Sequence, residues 1–227
     1  MSTENPSIKK TKPKLVISFD VEATSRSPHS GSCNMIGMVG VLENTVPTKV
    51  VPTTGTPEQP GWVLFKKQWC LTEYNGRSLT CMTEFWDHHK DVLFHIQKNA
   101  RQPDVVMNEI SDLLTKLDEE YEWYFMADPA SFDWQWLNTL YDRYGRKNKF
   151  PIGYKAICMD GMEKAILAMG FPIPDTRPTE GYEHLKMSHF ADDDAEYQAY
   201  QYLILRKFLR EMGDKLRKTG SHSANEN

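Results

Sequence analysis

A mixed α/β domain is the fold this sequence predicts, and three observations predict it. Three apolar runs rich in β-branched and aromatic residues follow one another near the start, at 14–23 (KLVISFDVEA), 34–42 (NMIGMVGVL) and 61–71 (GWVLFKKQWCL). From about residue 81 the apolar residues instead recur at helical spacing. Two further short apolar runs, EWYFMAD (122–128) and YKAICMD (154–160), lie between helical segments. The resulting order, βββ-α-α-β-α-β-α-α, opens a sheet with consecutive strands and then crosses helices over it.

Taken in order, the first three runs read as an antiparallel meander. The connection between the second and third, residues 44–61, is long and rich in Pro, Thr and Gly, and loops of that length tend to serve a function or move. The stretch TEFWDHHKDVLFHIQKNA (83–100) reads as a helix, as does 104–121, whose apolar face comprises Val105, Val106, Ile110, Leu113, Leu114 and Leu117. After the strand at 122–128, a helix over 132–145 ends at Gly145; after the strand at 154–160, another ends at Gly170 and Pro172. The last helix, 192–218, begins with three aspartates and ends with basic residues, as the helix dipole favours. Residues 1–13 and 219–227 are polar and small and are expected to be disordered tails around one domain spanning 14–218.

Composition narrows the function classes. The chain has 227 residues and a net charge of −4, so no strong positive field marks it as a duplex binder. Its local basic runs, at 9–14, 146–149 and 206–218, read first as solvated surface. The four cysteines, Cys33, Cys70, Cys81 and Cys158, lack zinc-site spacing and suggest neither a metal finger nor a disulfide framework. No run of 18 apolar residues exists, so no membrane partner is expected, and reduced thiols fit a cytoplasmic location, with nuclear or virion locations left open. Gly-x-Ser-x-Gly, P-loop and Gly-x-Gly-x-x-Gly motifs are lacking, which argues against an α/β hydrolase or a nucleotide-binding protein.

The informative feature is charge where a core should be. Asp20 and Glu22 stand one residue apart in an apolar strand, so both project from the same face. Burying such a pair requires salt bridges, raised pKa values or a bound cation. Alone, Asp-x-Glu is common. Asp133, between Phe132 and Trp134 at the start of a helix, is alone an ordinary first-turn acid. His189, five residues before Asp194 in HFADDDAEYQA, is alone a solvated histidine beside a capping acid.

Together these elements occur in the order Asp-x-Glu, Asp, His-x4-Asp, and the chain then resembles the DEDDh group of 3′-to-5′ exonucleases, the DnaQ-like branch of the ribonuclease H-like fold. FDVEAT is similar to that family's first motif, SFDWQWL to its second and HFADDDAEYQA to its third, and the resemblance spans about residues 14–212. A weaker similarity, in TEFWDHHKD and ADPASFDW, is to the branch with phage exonuclease A and RNase AS. The chain departs from the family in carrying Ala127 and Asp128 where many members have His-Asn, and Ala-Thr-Ser after the glutamate where many have Thr-Gly.

The resemblance implies a mixed sheet with its first three strands antiparallel and later strands parallel to the first. It implies that Asp20, Glu22, Asp133 and Asp194 ligate two Mg²⁺ or Mn²⁺ ions, with His189 as general base, in hydrolysis releasing nucleoside 5′-monophosphates from the 3′ end of RNA or DNA. His189 suits that role because imidazole titrates near neutrality. Thr24 and Ser25 are candidates to hold the terminal sugar, Met35 and Ile36 to wedge beneath it, and Trp86, Trp134 and Phe190 to stack on bases, although a core role competes for each aromatic. Adjacent His88 and His89 point about 100° apart on a helix and read as surface residues. The expected partner is single-stranded or 3′-terminal nucleic acid, and a homodimer is a further expectation. The competing reading is a catalytically weak nuclease-like module that binds nucleic acid or protein.

Overall fold

The structure is a computed structural model that describes residues 11–45, 62–145, 152, 153 and 155–223, with the side chains of 219–223 left aside. Most of the 44–61 loop and of the expected tail at 1–13 lies outside the described residues. Five strands form one mixed sheet: β1 (Lys14–Ala23), β2 (Cys33–Leu42), β3 (Val63–Cys70), β4 (Glu122–Ala127) and β5 (Ala156–Cys158). Their spatial order is β3-β2-β1-β4-β5, antiparallel across β3, β2 and β1 and parallel across β1, β4 and β5.

Helices cover both faces, which is why β1 reads as an almost unbroken apolar run. On one side, Leu15, Ile17, Phe19 and Val21 pack with residues of α3 (Pro103–Glu120) and α4 (Ala130–Tyr144). On the other, Val16, Val39 and Val41 meet α5 (Met159–Ala168) and α6 (Ala191–Ser223). Period-two alternation therefore turns Ser18, Asp20 and Glu22 toward the α6 side. The approach of α6 depends on Gly37, the cross-strand neighbour of Asp20. A Cβ there would come within 2.0 Å of the Ala191 carbonyl carbon and 2.2 Å of the Asp192 nitrogen.

Three boundaries differ from the sequence reading. The expected helix at 83–100 is divided between a π-helical segment (Met82–Trp86), which continues a short α1 (Leu79–Cys81), and α2 (Lys90–Asn99). The break at His89, whose backbone is non-helical, lets Trp86 bury its ring and donate its indole N–H to the Ala23 carbonyl at 3.2 Å. The final helix extends to Ser223, past the expected boundary at 218, so part of the expected C-terminal tail is helical; residues 224–227 lie outside the described ones. The last strand shrinks to Ala156–Cys158.

Candidate metal centre

The sheet register creates the site. Parallel pairing of β1 with β4 ends at Ser18 and Met126, so Asp20 to Glu22 run on past the last β4 pair. There the chain leaves β4 and starts α4, and the Val21 N–H, without a strand partner on that side, donates to Asp133 Oδ1 at 3.1 Å. Carboxyl ends of parallel strands are where open α/β sheets place their ligands. From the opposite side α6 supplies Asp194, and one turn later Gln198, whose amide donates to Asp20 Oδ1 at 3.0 Å.

His189 is placed by its own backbone. Its φ of +63° lies in the left-handed region, uncommon for a residue with a Cβ. Asp194 holds it there: its Oδ1 accepts from the Ser188 N–H at 2.6 Å, and its Oδ2 accepts from the His189 N–H at 3.1 Å. The ring then directs Nδ1 at Glu22 Oε1, 3.5 Å away, and stands 3.9 Å from Asp194 Oδ2. The Glu22, His189 and Asp194 donor atoms all lie within 4.8 Å of one another.

Burial separates this group from the other acids. Six carboxylate side chains are buried among the described residues: Asp20, Glu22, Glu73, Asp133, Asp194 and Glu196. Glu73 is paired with Arg143 at 3.0 Å and Glu196 with Lys66 at 2.9 Å. The remaining four have no lysine or arginine partner among the described residues; His189 alone offers them a basic group. Two structural acids thus receive a permanent cation, whereas Asp20 and Asp133 receive neutral donors and Glu22 and Asp194 a histidine; among the described residues only Glu22, His189 and Asp194 bring their donor atoms within 4.8 Å of one another.

Their protonation follows. Burial, then the charges of Asp133, Glu22 and Asp194, holds the Asp20 carboxyl far above the usual range. Burial pushes Glu22 up to about 7 and Asp133 up to about 8, and raises Asp194 as well. His189 is raised by its contact with Glu22. Asp133 Oδ2 is also buried without a hydrogen-bond partner among the described residues. Hard oxygen donors short of positive charge, with one such orphaned atom, fit a divalent cation of the Mg²⁺ or Mn²⁺ type.

A cleft of about 620 Å³ opens beside Glu22, lined by Ser25, Arg26, Thr80, Phe85 and Phe132 among others. Of the sequence candidates for substrate contact, Ser25 reaches it, its hydroxyl 2.8 Å from that of Ser30. Others do not. The Thr24 hydroxyl donates to the Gly76 carbonyl at 2.8 Å and accepts from the Ser32 N–H at 2.9 Å, so it pins two loops together. Met35 and Ile36 are fully buried, because β2 is covered on both faces, and they cannot wedge beneath a sugar. Trp86 is equally a core residue. Trp134 packs in the core against Phe19 and Phe125, at 6.1 and 5.5 Å between ring centres, and Phe190 is half-buried, edge-on to His95.

Several residues at the site escaped the sequence reading. Gln198 is one; its spacing of four from Asp194 on a helix was the available signal. Phe85 and His89, whose rings lie 4.8 and 4.1 Å from that of His189, are others. His89, read as a surface residue, is brought inward by the same break that splits the expected helix. Arg26, the basic residue on the cleft wall, carried no signal beyond its nearness to Glu22. Compared with known proteins, the chain matches no family model and no curated protein.

Proposed function

We propose that this protein is a metal-dependent 3′-to-5′ exonuclease of the DEDDh kind, on a ribonuclease H-like arrangement of the sheet. One observation carries the reading: of six acids buried among the described residues, the four without a Lys or Arg partner are the four that the resemblance assigns as ligands; they come from β1, α4 and α6, and two of them, Glu22 and Asp194, close on His189. An antiparallel trio followed by parallel strands, with the site at the end of β1, agrees with that arrangement.

Asp20, Glu22, Asp133 and Asp194 would hold two divalent ions of the Mg²⁺ or Mn²⁺ type. When bound, such ions supply positive charge that polarises the phosphodiester and stabilises the attacking and leaving oxygens. Gln198 orients the Asp20 carboxylate, and the Val21 N–H fixes Asp133. With Nδ1 directed at Glu22, Nε2 is the imidazole atom left to accept the proton of the attacking water. The cleft beside Glu22 receives the terminal nucleotide, where Arg26 offers charge to a phosphate and Phe85 and Phe132 offer apolar surface to a base.

Digestion of RNA and DNA oligonucleotides labelled at either end, with Mg²⁺, Mn²⁺ or EDTA, tests this. Stepwise loss from the 3′ end that requires metal and vanishes in Asp20→Ala is the expected result. Internal cleavage, or activity indifferent to chelator, rules the proposal out.

A further inference from the structure

Beside the all-oxygen sites of a two-ion exonuclease, the same residues form a second kind of donor set. The His189 Nδ1 nitrogen stands 3.5 Å from Glu22 Oε1 and 3.9 Å from Asp194 Oδ2, and all three donors fall within 4.8 Å of one another. Around a tetrahedral ion with bonds of about 2.0 Å, donor atoms stand roughly 3.3 Å apart, so small side-chain movements close the set. One nitrogen and two carboxylates, leaving the fourth position open, is a combination that Zn²⁺ accepts. Mg²⁺ prefers six oxygens, and N/O sites generally bind Zn²⁺ more tightly than Mn²⁺.

The nitrogen is held ready. Two backbone N–H groups, of Ser188 and His189, bond the Asp194 carboxylate, fixing the loop that carries the ring. Phe85 and His89 flank the ring at 4.8 and 4.1 Å. Neither the ligand role nor the base role requires that loop to refold, so one side chain serves either ion chemistry.

We propose that Glu22, His189 and Asp194 form a single-ion Zn²⁺ site whose occupation shuts the catalytic centre. Zinc there takes the imidazole and two of the four carboxylates, so the paired-ion arrangement and zinc exclude each other. The inhibitory consequence rests on the exonuclease reading; the binding site itself does not.

The test is calorimetric titration of ZnCl₂ into the full-length, metal-free protein, comparing wild type with His189→Phe, which keeps a ring and removes the nitrogens. Cys81→Ser is the control, because Cys81 is the thiol that lines the neighbouring cleft. The expected result is one Zn²⁺ per chain in wild type and Cys81→Ser, with affinity at least tenfold weaker in His189→Phe. Zinc-edge X-ray absorption of the wild-type complex should show one nitrogen among oxygen donors at tetrahedral distances. Circular dichroism checks that His189→Phe folds; if it does not, Glu22→Gln takes its place and should also lose the tight zinc site. Equal zinc affinity in folded variant and wild type, or an oxygen-only or sulfur-containing shell, overturns the proposal. Exonuclease activity that fails while zinc binds in this way removes the reading of function but leaves the site; activity that stands while zinc ignores His189 does the reverse.

Discussion

Asp133→Asn isolates the free-energy cost of gathering uncompensated acids. The native carboxyl accepts from the Val21 N–H at 3.1 Å and from its own backbone N–H, bonds that an asparagine oxygen can also accept. What the substitution removes is a group that burial holds at about 8 against an ordinary 3.8. A folded-state pKa raised in this way means that the native protein binds more protons than the unfolded chain throughout that interval. Metal-free stability is therefore lost as pH rises from about 4 and levels off only above about 8. With 1.36 kcal/mol for each unit, this one group costs about 4 kcal/mol between pH 4 and 7. Urea unfolding in EDTA, followed by tryptophan fluorescence at several pH values, measures it. Asp133→Asn should lose about 4 kcal/mol less than wild type across that range. Parallel pH profiles, or a steeper one for the variant, would refute the reasoning that burial without a cation governs this carboxyl.

Other consequences follow from the same arrangement. Mg²⁺ or Mn²⁺ at a hundredfold excess over its dissociation constant should stabilise wild type by about 3 kcal/mol at neutral pH, and Asp20→Asn should abolish the gain in a thermal-shift measurement. Gly37→Ala should cost roughly 1–3 kcal/mol and lower metal affinity with it, because its Cβ would meet the start of α6, the helix that carries Asp194; denaturation and metal titration of the same variant check both. Arg143→Ala strands the buried Glu73 carboxylate and should destabilise by about 3 kcal/mol while leaving metal affinity unchanged, which unfolding and calorimetry together would show. Gln198→Ala removes the bond to Asp20 Oδ1 and should weaken metal binding with little loss of stability.

The parts of the site legible in the sequence were those governed by local periodicity. Asp20 and Glu22 share a face because β1 alternates, and the five-residue step from His189 to Asp194 spans one loop and the first turn of α6. The three opening strands were equally readable, since apolar runs separated by loops determine a meander. What stayed hidden depended on contacts between distant segments. Gly37 looks like any strand glycine until α6 is laid over it. Thr24 offers a free hydroxyl on paper, yet Ser32 and Gly76, brought beside it by the fold, use both its donor and its acceptor capacity. Met35 and Ile36 could be assigned to a surface only because the sequence does not say that β2 is covered on both sides. The helix expected at 83–100 carried a continuous apolar periodicity, and the demand of Trp86 for burial and a partner at Ala23 coincides with its interruption.

That the buried acids Asp20, Glu22, Asp133 and Asp194 hold hard divalent ions between them is a proposal open to direct test. Anomalous diffraction from crystals soaked in MnCl₂ tests it most directly, because it places the ions without reference to activity. Manganese density bounded by the carboxylates of Asp20, Glu22, Asp133 and Asp194 is the expected result. Density confined to the half-buried acids Asp192 and Asp193, or no density beside Asp20 at saturating manganese, would contradict it.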